Sequence, residues 1–530
     1  MRTARVPGYP EIMHLLRMIC VLVVLCTAGC STMPRGTDAP KTPSFALEHP
    51  DDTRLGRQFL AASERHHGES GYHIINGGMD GFVTRIQMID AAEKTIDAQY
   101  FIFRGDETGL LIGEALERAA DRGVRVRILV DDGDTVAGDQ KILALGRHPH
   151  IEVRIFNPFD YRGHNALLRR LDFLFHNGRL DYRMHNKLMV VDNSVALVGG
   201  RNIGAQYFQV EPDSQFADDD AFAAGAIAAK LSKTFDSYWN SEFAVPATAL
   251  PLPKERSAEA KVSLRDGGAN YRAKISSGSP FKELIAGDAA LHWADAAVVC
   301  DSPDKKDVKQ RKKRGHLMAP QVTQAMQGAE QELLMITPYF VPSAKEIALL
   351  GELRQRNTRV RILSNSLESA PELSAQSGYN KFRIQLLESG AELYEVRARL
   401  ESTRGSGQTR AISRYGNYGL HAKLYVMDRR RFYIGSMNYD QRSWRINTEV
   451  GLIIENRELA EEVARRFDEM VSPDAAYRVL LDSDGGGKPH LHWTTEIDHR
   501  EVDFAREPSR GFWQRTKVEI LGLLPIDREL

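Results

Sequence analysis

Cysteine is scarce in this chain of 530 residues: Cys20, Cys26, Cys30 and Cys300 are the only four. The first three sit inside or just after an apolar N-terminal segment. If that segment is cleaved and Cys30 is acylated, Cys300 alone keeps a thiol, and an intrachain disulfide framework is excluded. Cys300 closes the apolar run Ala296-Ala297-Val298-Val299 and reads as a strand residue, not a nucleophile. A surplus of charge is missing as well. Seventy basic residues face 71 acidic ones, for a formal charge of −1, and removing residues 1–29, with Arg2, Arg5, Arg17 and Glu11, leaves about −3. That excludes the global basic field of a nucleic-acid binder, so no nucleic acid is expected as a partner. The apolar run Met18 to Leu25 is too short to span a bilayer as a mature helix. Finally, no His, Cys, Asp or Glu cluster has metal-ligand spacing, so neither a metal nor a cofactor is expected.

What is present begins with Arg17, the apolar run, and Thr27-Ala28-Gly29 ahead of Cys30. This reads as a secretory signal over residues 1–30. A cysteine directly after Ala-Gly resembles a bacterial lipobox, which implies diacylation of Cys30. Thr27 departs from the usual leucine, and an uncleaved anchor or ordinary signal peptide is the alternative. Residues 31–70 open on Ser, Thr, Pro, Gly and Asp and are expected to form a tether. The reading is an envelope lipoprotein held at a membrane surface and facing the periplasm, with inner and outer membrane undecided.

One arrangement then occurs twice. His185, Lys187, Asp192, Gly199-Gly200 and Asn202 return as His421, Lys423, Asp428, Gly435-Ser436 and Asn438, giving H-x-K-x4-D-x6-G-[GS]-x-N in both places. The surroundings repeat too. Tyr100 and Tyr339 are 239 residues apart, the strand candidates at Arg125 and Arg359 are 234 apart, and the histidines are 236 apart. A nearly constant offset over three landmarks means an internal duplication. Strands alternating with helices in each copy give an α/β sandwich. We place the N-terminal half at 71–243, a connector at 244–290, the C-terminal half at 291–476, and a tail at 477–530 whose Phe512, Trp513, Ile520, Leu521, Leu523 and Leu524 suit either a membrane interface or a docked helix. The basic run Asp304 to Arg314 reads as a solvated loop or a contact for anionic headgroups. Asp160 to Met184 mixes leucines and phenylalanines with arginines, which fits either a lipid entry or a packed helix.

The paired motif resembles the phospholipase D superfamily. Asn157-Pro158-Phe159 and Val198-Gly199-Gly200-Arg201-Asn202 further resemble its bacterial cardiolipin synthase branch, especially the C-type group. The resemblance implies a duplicated α-β-α sandwich of two pseudo-symmetric halves sharing one active site. It also implies a phosphohistidine mechanism, with phospholipids such as phosphatidylglycerol or phosphatidylethanolamine as substrates. Phosphodiester exchange needs a nucleophile, an acid for the leaving oxygen, and positive charge for the non-bridging oxygens. His185 is assigned as nucleophile and His421 as acid/base, an order that near symmetry leaves open. Lys187, Lys423, Asn202, Asn438 and Ser436 would bind phosphoryl oxygens. Glu449 would orient His421; Asp218, in preference to Asp220, would orient His185. Asp192 and Asp428 lie five residues past the lysines, off their face by two-residue alternation, and are expected to be structural. The expected activity is transfer of a phosphatidyl group to an alcohol. Hydrolysis by the same site and a nucleic-acid phosphodiesterase are the alternatives.

Overall fold

The computed structural model describes residues 38–133, 139–161, 165–208, 214–250, 280–286, 291–310, 312, 315–398, 417–483 and 489–524. Cys30, the signal segment, most of the 244–290 connector and the Arg-rich 399–416 stretch lie outside them.

Two mixed sheets carry the fold. From one edge, the first runs His292–Ala294, Ser70–Ile75, Asp220–Ala224, Val195–Gly199, Lys187–Val191, Thr95–Tyr100, Arg125–Asp131, Ile151–Phe156 and Ala244–Pro246. The second runs Ala296–Cys300, Val450–Ile454, Arg431–Gly435, Leu424–Met427, Glu332–Ile336, Arg359–Asn365, Glu392–Val396 and Ala476–Ser483, then Pro489–Ile497 and Arg500–Phe504. Apart from His292–Ala294 at the edge of the first sheet and the last two strands of the second, the orders correspond one for one. In each, the motif strand lies antiparallel to the strand that starts a three-stranded parallel block.

Alternation along the strands explains the layers, because successive side chains leave a strand on opposite faces. Leu188 and Val190, with Leu424 and Val426, enter one core shared by both halves. Met189 and Val191 face the outer N-terminal core, and Tyr425 and Met427 the outer C-terminal core. Strands buried on both faces read as continuous apolar runs, as these do. The helices Ala226–Trp239 and Arg457–Met470 supply Ile227, Leu231 and Phe235, and Leu459, Val463 and Phe467, to the shared core. The halves therefore pack back to back as one body.

Each motif strand ends in a two-residue turn with positive φ at both positions: Asp192 and Asn193 in one copy, Asp428 and Arg429 in the other. Such turns match the twist of the hairpin and favour Asn and Asp. Asp192 also accepts hydrogen bonds from the amides of Glu93, Lys94 and Thr95 at 2.8–2.9 Å. Asp428 does the same for Glu330, Gln331 and Glu332 at 2.7–3.1 Å. These aspartates pin the turn to the start of the neighbouring strand.

Three boundaries differ from the sequence expectation. The tether is docked from Lys41 onward: Lys41 donates to Ala244 O, Ala46 N to Asp236, and Arg127 to Ser44 O, and a helix spans Arg54–Arg65. Polar residues there serve as backbone partners for buried arginines, which composition does not reveal. His292–Ala294 pairs with Ser70–Ile75, so the second half begins at Asp295. The supposed tail opens with Ala476–Ser483, which pairs with Glu392–Val396, and two further strands extend that sheet. Among the described elements of the tail, the Phe512–Gly522 helix alone stands outside it.

Candidate active site

His185 and His421 line one cavity of about 790 Å³ between the halves. The backbone puts them there. Asn417–Leu420 runs parallel to Ser214–Ala217, and His421 N donates to Ala217 O at 2.8 Å. Across the cavity Thr448 N donates to Arg183 O, and His185 N to Thr448 O, both at 2.9 Å. Each segment entering a motif is thus paired with the segment entering the other half's carboxylate.

That pairing crosses the orienting groups, correcting the expected assignment. His185 Nδ1 meets Glu449 at 3.0 and 3.1 Å, whereas His421 Nδ1 meets Asp218 at 2.6 Å. The expectation kept each carboxylate within its own half because the repeats are similar; the register between halves decides otherwise. Both carboxylates are fully buried. Asp220, the alternative to Asp218, instead takes Arg85 at 2.8 Å and Arg201 at 3.1 Å.

Ser436 also needs correction. Its hydroxyl donates to Glu449 at 2.5 Å and accepts from Val450 N at 3.0 Å, so it braces the carboxylate and does not face phosphate. Gly200, its counterpart, has no room for a side chain: a Cβ there would stand 2.1 Å from Asp218 Oδ1. The Gly/Ser difference between the motifs therefore follows from how closely each carboxylate approaches its own hairpin. Asn202 lines the cavity, but its Oδ1 accepts from Ile102 N at 3.1 Å and its Nδ2 donates to Tyr207 OH at 2.9 Å. Asn438 is buried with Oδ1 unpartnered. Lys187 Nζ donates to His185 O at 2.6 Å, and Lys423 Nζ to His421 O and toward His421 Nδ1 at 3.0 Å.

Burial acts first on every charge here. It lowers His185 well below the usual imidazole value, with Lys187, Lys423 and Arg442 adding to the effect. It lowers His421 to about 3, reinforced by Lys423 and opposed by Asp218. Lys423 falls to about 8 and Lys187 falls well below its usual range, again through burial. Glu449 is pushed up to about 7 by burial, against Lys187 and Ser436. Asp218 goes the other way: burial raises it, but His421, Lys423 and Arg201 together hold it below the usual carboxylate value. A phosphodiester anion between the two rings would raise these values again, since a nearby negative charge favours protonated imidazole and ammonium.

Sequence reasoning missed the support behind Glu449. Lys305, inside the basic run read as a loop or headgroup contact, is buried and donates to Asp301 at 2.9 Å and to Ser443 O and Asn447 O at 2.7 Å. Asp301 in turn accepts from Glu449 N at 3.2 Å. The i,i+4 Asp–Lys spacing was the available signal. It also missed the aromatic walls. Phe101 meets His185 edge-on at 5.0 Å, and Phe216 stacks on His421 at 5.3 Å. Arg442, bound to Asp181 at 2.7 Å, lines the same cavity. Among the described residues, Asp160, Asp172 and His176 bring ligand-type atoms within 4.8 Å of one another, on and beside the Ala166–Leu180 helix. Asp160 and His176 there are bound to Arg179 and Asp172 respectively.

A duplicated sandwich presenting two H-x-K-x4-D histidines to one cavity defines the phospholipase D superfamily. The family described as cardiolipin synthase, PLD-like domain, matches residues 85–239 and 322–471, the two halves in turn. The chain is 34% identical over 485 residues to cardiolipin synthase C of Escherichia coli (strain K12), covering 89% of this chain and 99% of that protein. It is 25% identical to the major cardiolipin synthase ClsA of Bacillus subtilis (strain 168), over 78% and 72% of the two chains. Among solved structures, phosphatidylserine synthase of Haemophilus influenzae Rd KW20 shares the fold, with a TM-score of 0.52 at 13% identity over 79% of this chain and 92% of that one. The chain belongs to the cardiolipin synthase family of phospholipase D-like enzymes.

Proposed function

We propose that this cavity transfers a phosphatidyl group from one phospholipid to an alcohol borne by another, making cardiolipin, with phosphatidylglycerol or phosphatidylethanolamine as participants. The observation that carries the reading is the pair of imidazoles in one cavity, each tied through Nδ1 to a buried carboxylate. That leaves Nε2 of each ring for chemistry. In the first step His185 Nε2 attacks phosphorus, the P–O bond to the leaving alcohol breaks, and His421 gives that oxygen its proton. In the second, His421 takes the proton of the acceptor hydroxyl, whose oxygen displaces His185 from phosphorus. An ionised Asp218 suits the imidazole that must carry a proton. Glu449, pushed up to about 7, holds its charge less firmly beside the imidazole that must stay neutral, and in its ionised form accepts that ring's Nδ1–H and leaves Nε2 bare. This asymmetry supports the order His185 nucleophile, His421 acid/base. Lys187, Lys423 and Asn438 remain the candidates to bind phosphoryl oxygens. Phenylalanines at 101, 159, 173 and 216 share the lining with Arg104, Arg183 and Arg442, a mixture that suits a lipid phosphate.

Purified full-length protein incubated with labelled phosphatidylglycerol, with and without phosphatidylethanolamine, should yield labelled cardiolipin. Phosphatidic acid as the sole product would replace transfer with hydrolysis, and cleavage of DNA without lipid turnover would overturn both. We further propose that Cys30 is acylated and holds the enzyme to the envelope, facing the periplasm. Cys30→Ser should then release it from the membrane fraction.

A further inference from the structure

Among the described residues two helices carry exposed apolar faces, one lining the active cavity and the other beginning just after a residue that does. In Ala166–Leu180, Asp172, Arg179 and Leu180 turn toward the body, while Leu167, Leu168, Leu171, Leu174 and Phe175 turn outward, Leu167 64% and Leu174 54% exposed. Phe173 and Leu180 of this helix line the cavity. In Phe512–Gly522, Val518 is buried, while Phe512, Trp513 and Ile520, with Leu523 just past its end, face solvent, Trp513 73% and Leu523 85% exposed. That helix is fixed by Gln514, which donates to Leu367 O at 2.7 Å, and by Arg510, which donates to Glu368 O. Arg510 and residues 369–372 form another part of the cavity wall. The first helix, from the N-terminal half, lines the cavity itself, and the second is joined to the cavity wall through Arg510 and residues 367–368.

Exposed apolar patches of this kind mark contact with another apolar phase. Among the described residues no helix is long and apolar enough to cross a bilayer. Helices of 15 and 11 residues with one apolar face lie in an interface instead of spanning it. Charge agrees. Arg170 and Lys517 are exposed on the two helices, and Lys306 and Arg445 line a smaller cavity of about 310 Å³ that shares Phe173. Basic residues beside an apolar face favour an anionic lipid surface. We infer that the two helices form a bipartite membrane-docking surface that seats the mouth of the cavity on the bilayer, so that a phospholipid enters without crossing water. The inference rests on the phospholipid reading of the site and is separate from attachment through Cys30.

The test uses the full-length protein on vesicles of phosphatidylglycerol and phosphatidylethanolamine containing a brominated phosphatidylcholine. Bromine should quench emission in wild type, and Trp513→Phe should remove that quenching. Two double variants, Leu174→Glu with Phe175→Glu and Trp513→Glu with Leu523→Glu, should each lose about ten-fold or more of turnover on vesicles. Both should stay within about two-fold of wild type on a monomeric short-chain phospholipid, which shows that they fold. Unquenched Trp513, or vesicle turnover unchanged in both variants, would overturn the docking surface while leaving the enzyme reading intact. Quenching in a protein that turns over no phospholipid would support the surface and sink the enzyme reading.

Discussion

Replacing Asp218 by Asn tests the crossed arrangement most directly. Asp218 Oδ2 lies 2.6 Å from His421 Nδ1 and is fully buried, so the substitution removes a charge-assisted hydrogen bond from a dry site. Such a bond is worth about 1.5–3 kcal/mol, which at about 1.4 kcal/mol per decade is roughly a 10- to 150-fold loss in rate if the imidazolium forms in the transition state. An amide that turns its NH2 toward the ring also inverts the tautomer, and loss of a positioned acid and base costs about 10²–10⁴-fold. The expected fall in kcat therefore runs from about ten-fold to about ten-thousand-fold. The steady-state rate is paired with 15N spectra of the histidine rings, because activity alone does not tell which ring is disturbed. Asp218→Asn should move the His421 ring nitrogens and leave His185 in place; Glu449→Gln should do the reverse. A change confined to His185 in the Asp218 variant, or a kcat within about two-fold of wild type, would refute the crossed pairing.

Three more outcomes are expected. Ser436→Ala removes a donor that favours ionised Glu449; its pKa then rises above about 7, and the acid limb of kcat/KM should move up by about one pH unit, since an acid with a higher pKa ionises only at higher pH. An unmoved limb would mean that Glu449 ionisation does not govern the rate. Gly200→Ser drives a side chain into Asp218 and should cost about 10²-fold in kcat with the fold retained by circular dichroism, through misplacement of the His421 partner. Wild-type activity would show that the hairpin gives way. Asp192→Ala and Asp428→Ala each strand three backbone amides and should lower the stability in urea by about 2–4 kcal/mol, with near-normal kcat in the folded fraction. A kcat loss without a stability loss would place them in the chemistry.

Much was legible in the residues alone. The duplication, the sandwich class and the two histidines follow from short-range regularities: a repeated spacing, strand alternation, and turns whose Asp sits at a fixed offset from Lys. These are properties of single strands and hairpins, so they are written locally. The family resemblance pointed to Glu449, and the alignment of the halves to Asp218, as the carboxylates that orient the histidines. What it did not locate was which histidine each one serves, because that depends on Ser214–Ala217 lying beside Asn417–Leu420 and on Arg183 meeting Thr448, contacts between segments more than 200 residues apart. The same limit hid Lys305 in a basic run and turned Ser436 from a phosphate donor into a brace for Glu449. It likewise hid the docking of residues 41–46 on the buried arginines. Sequence determined which groups this protein has for the reaction; the packing of one half against the other decided their partners and their protonation, because hydrogen-bond distance and burial are set by neighbours in space and not by neighbours in the chain.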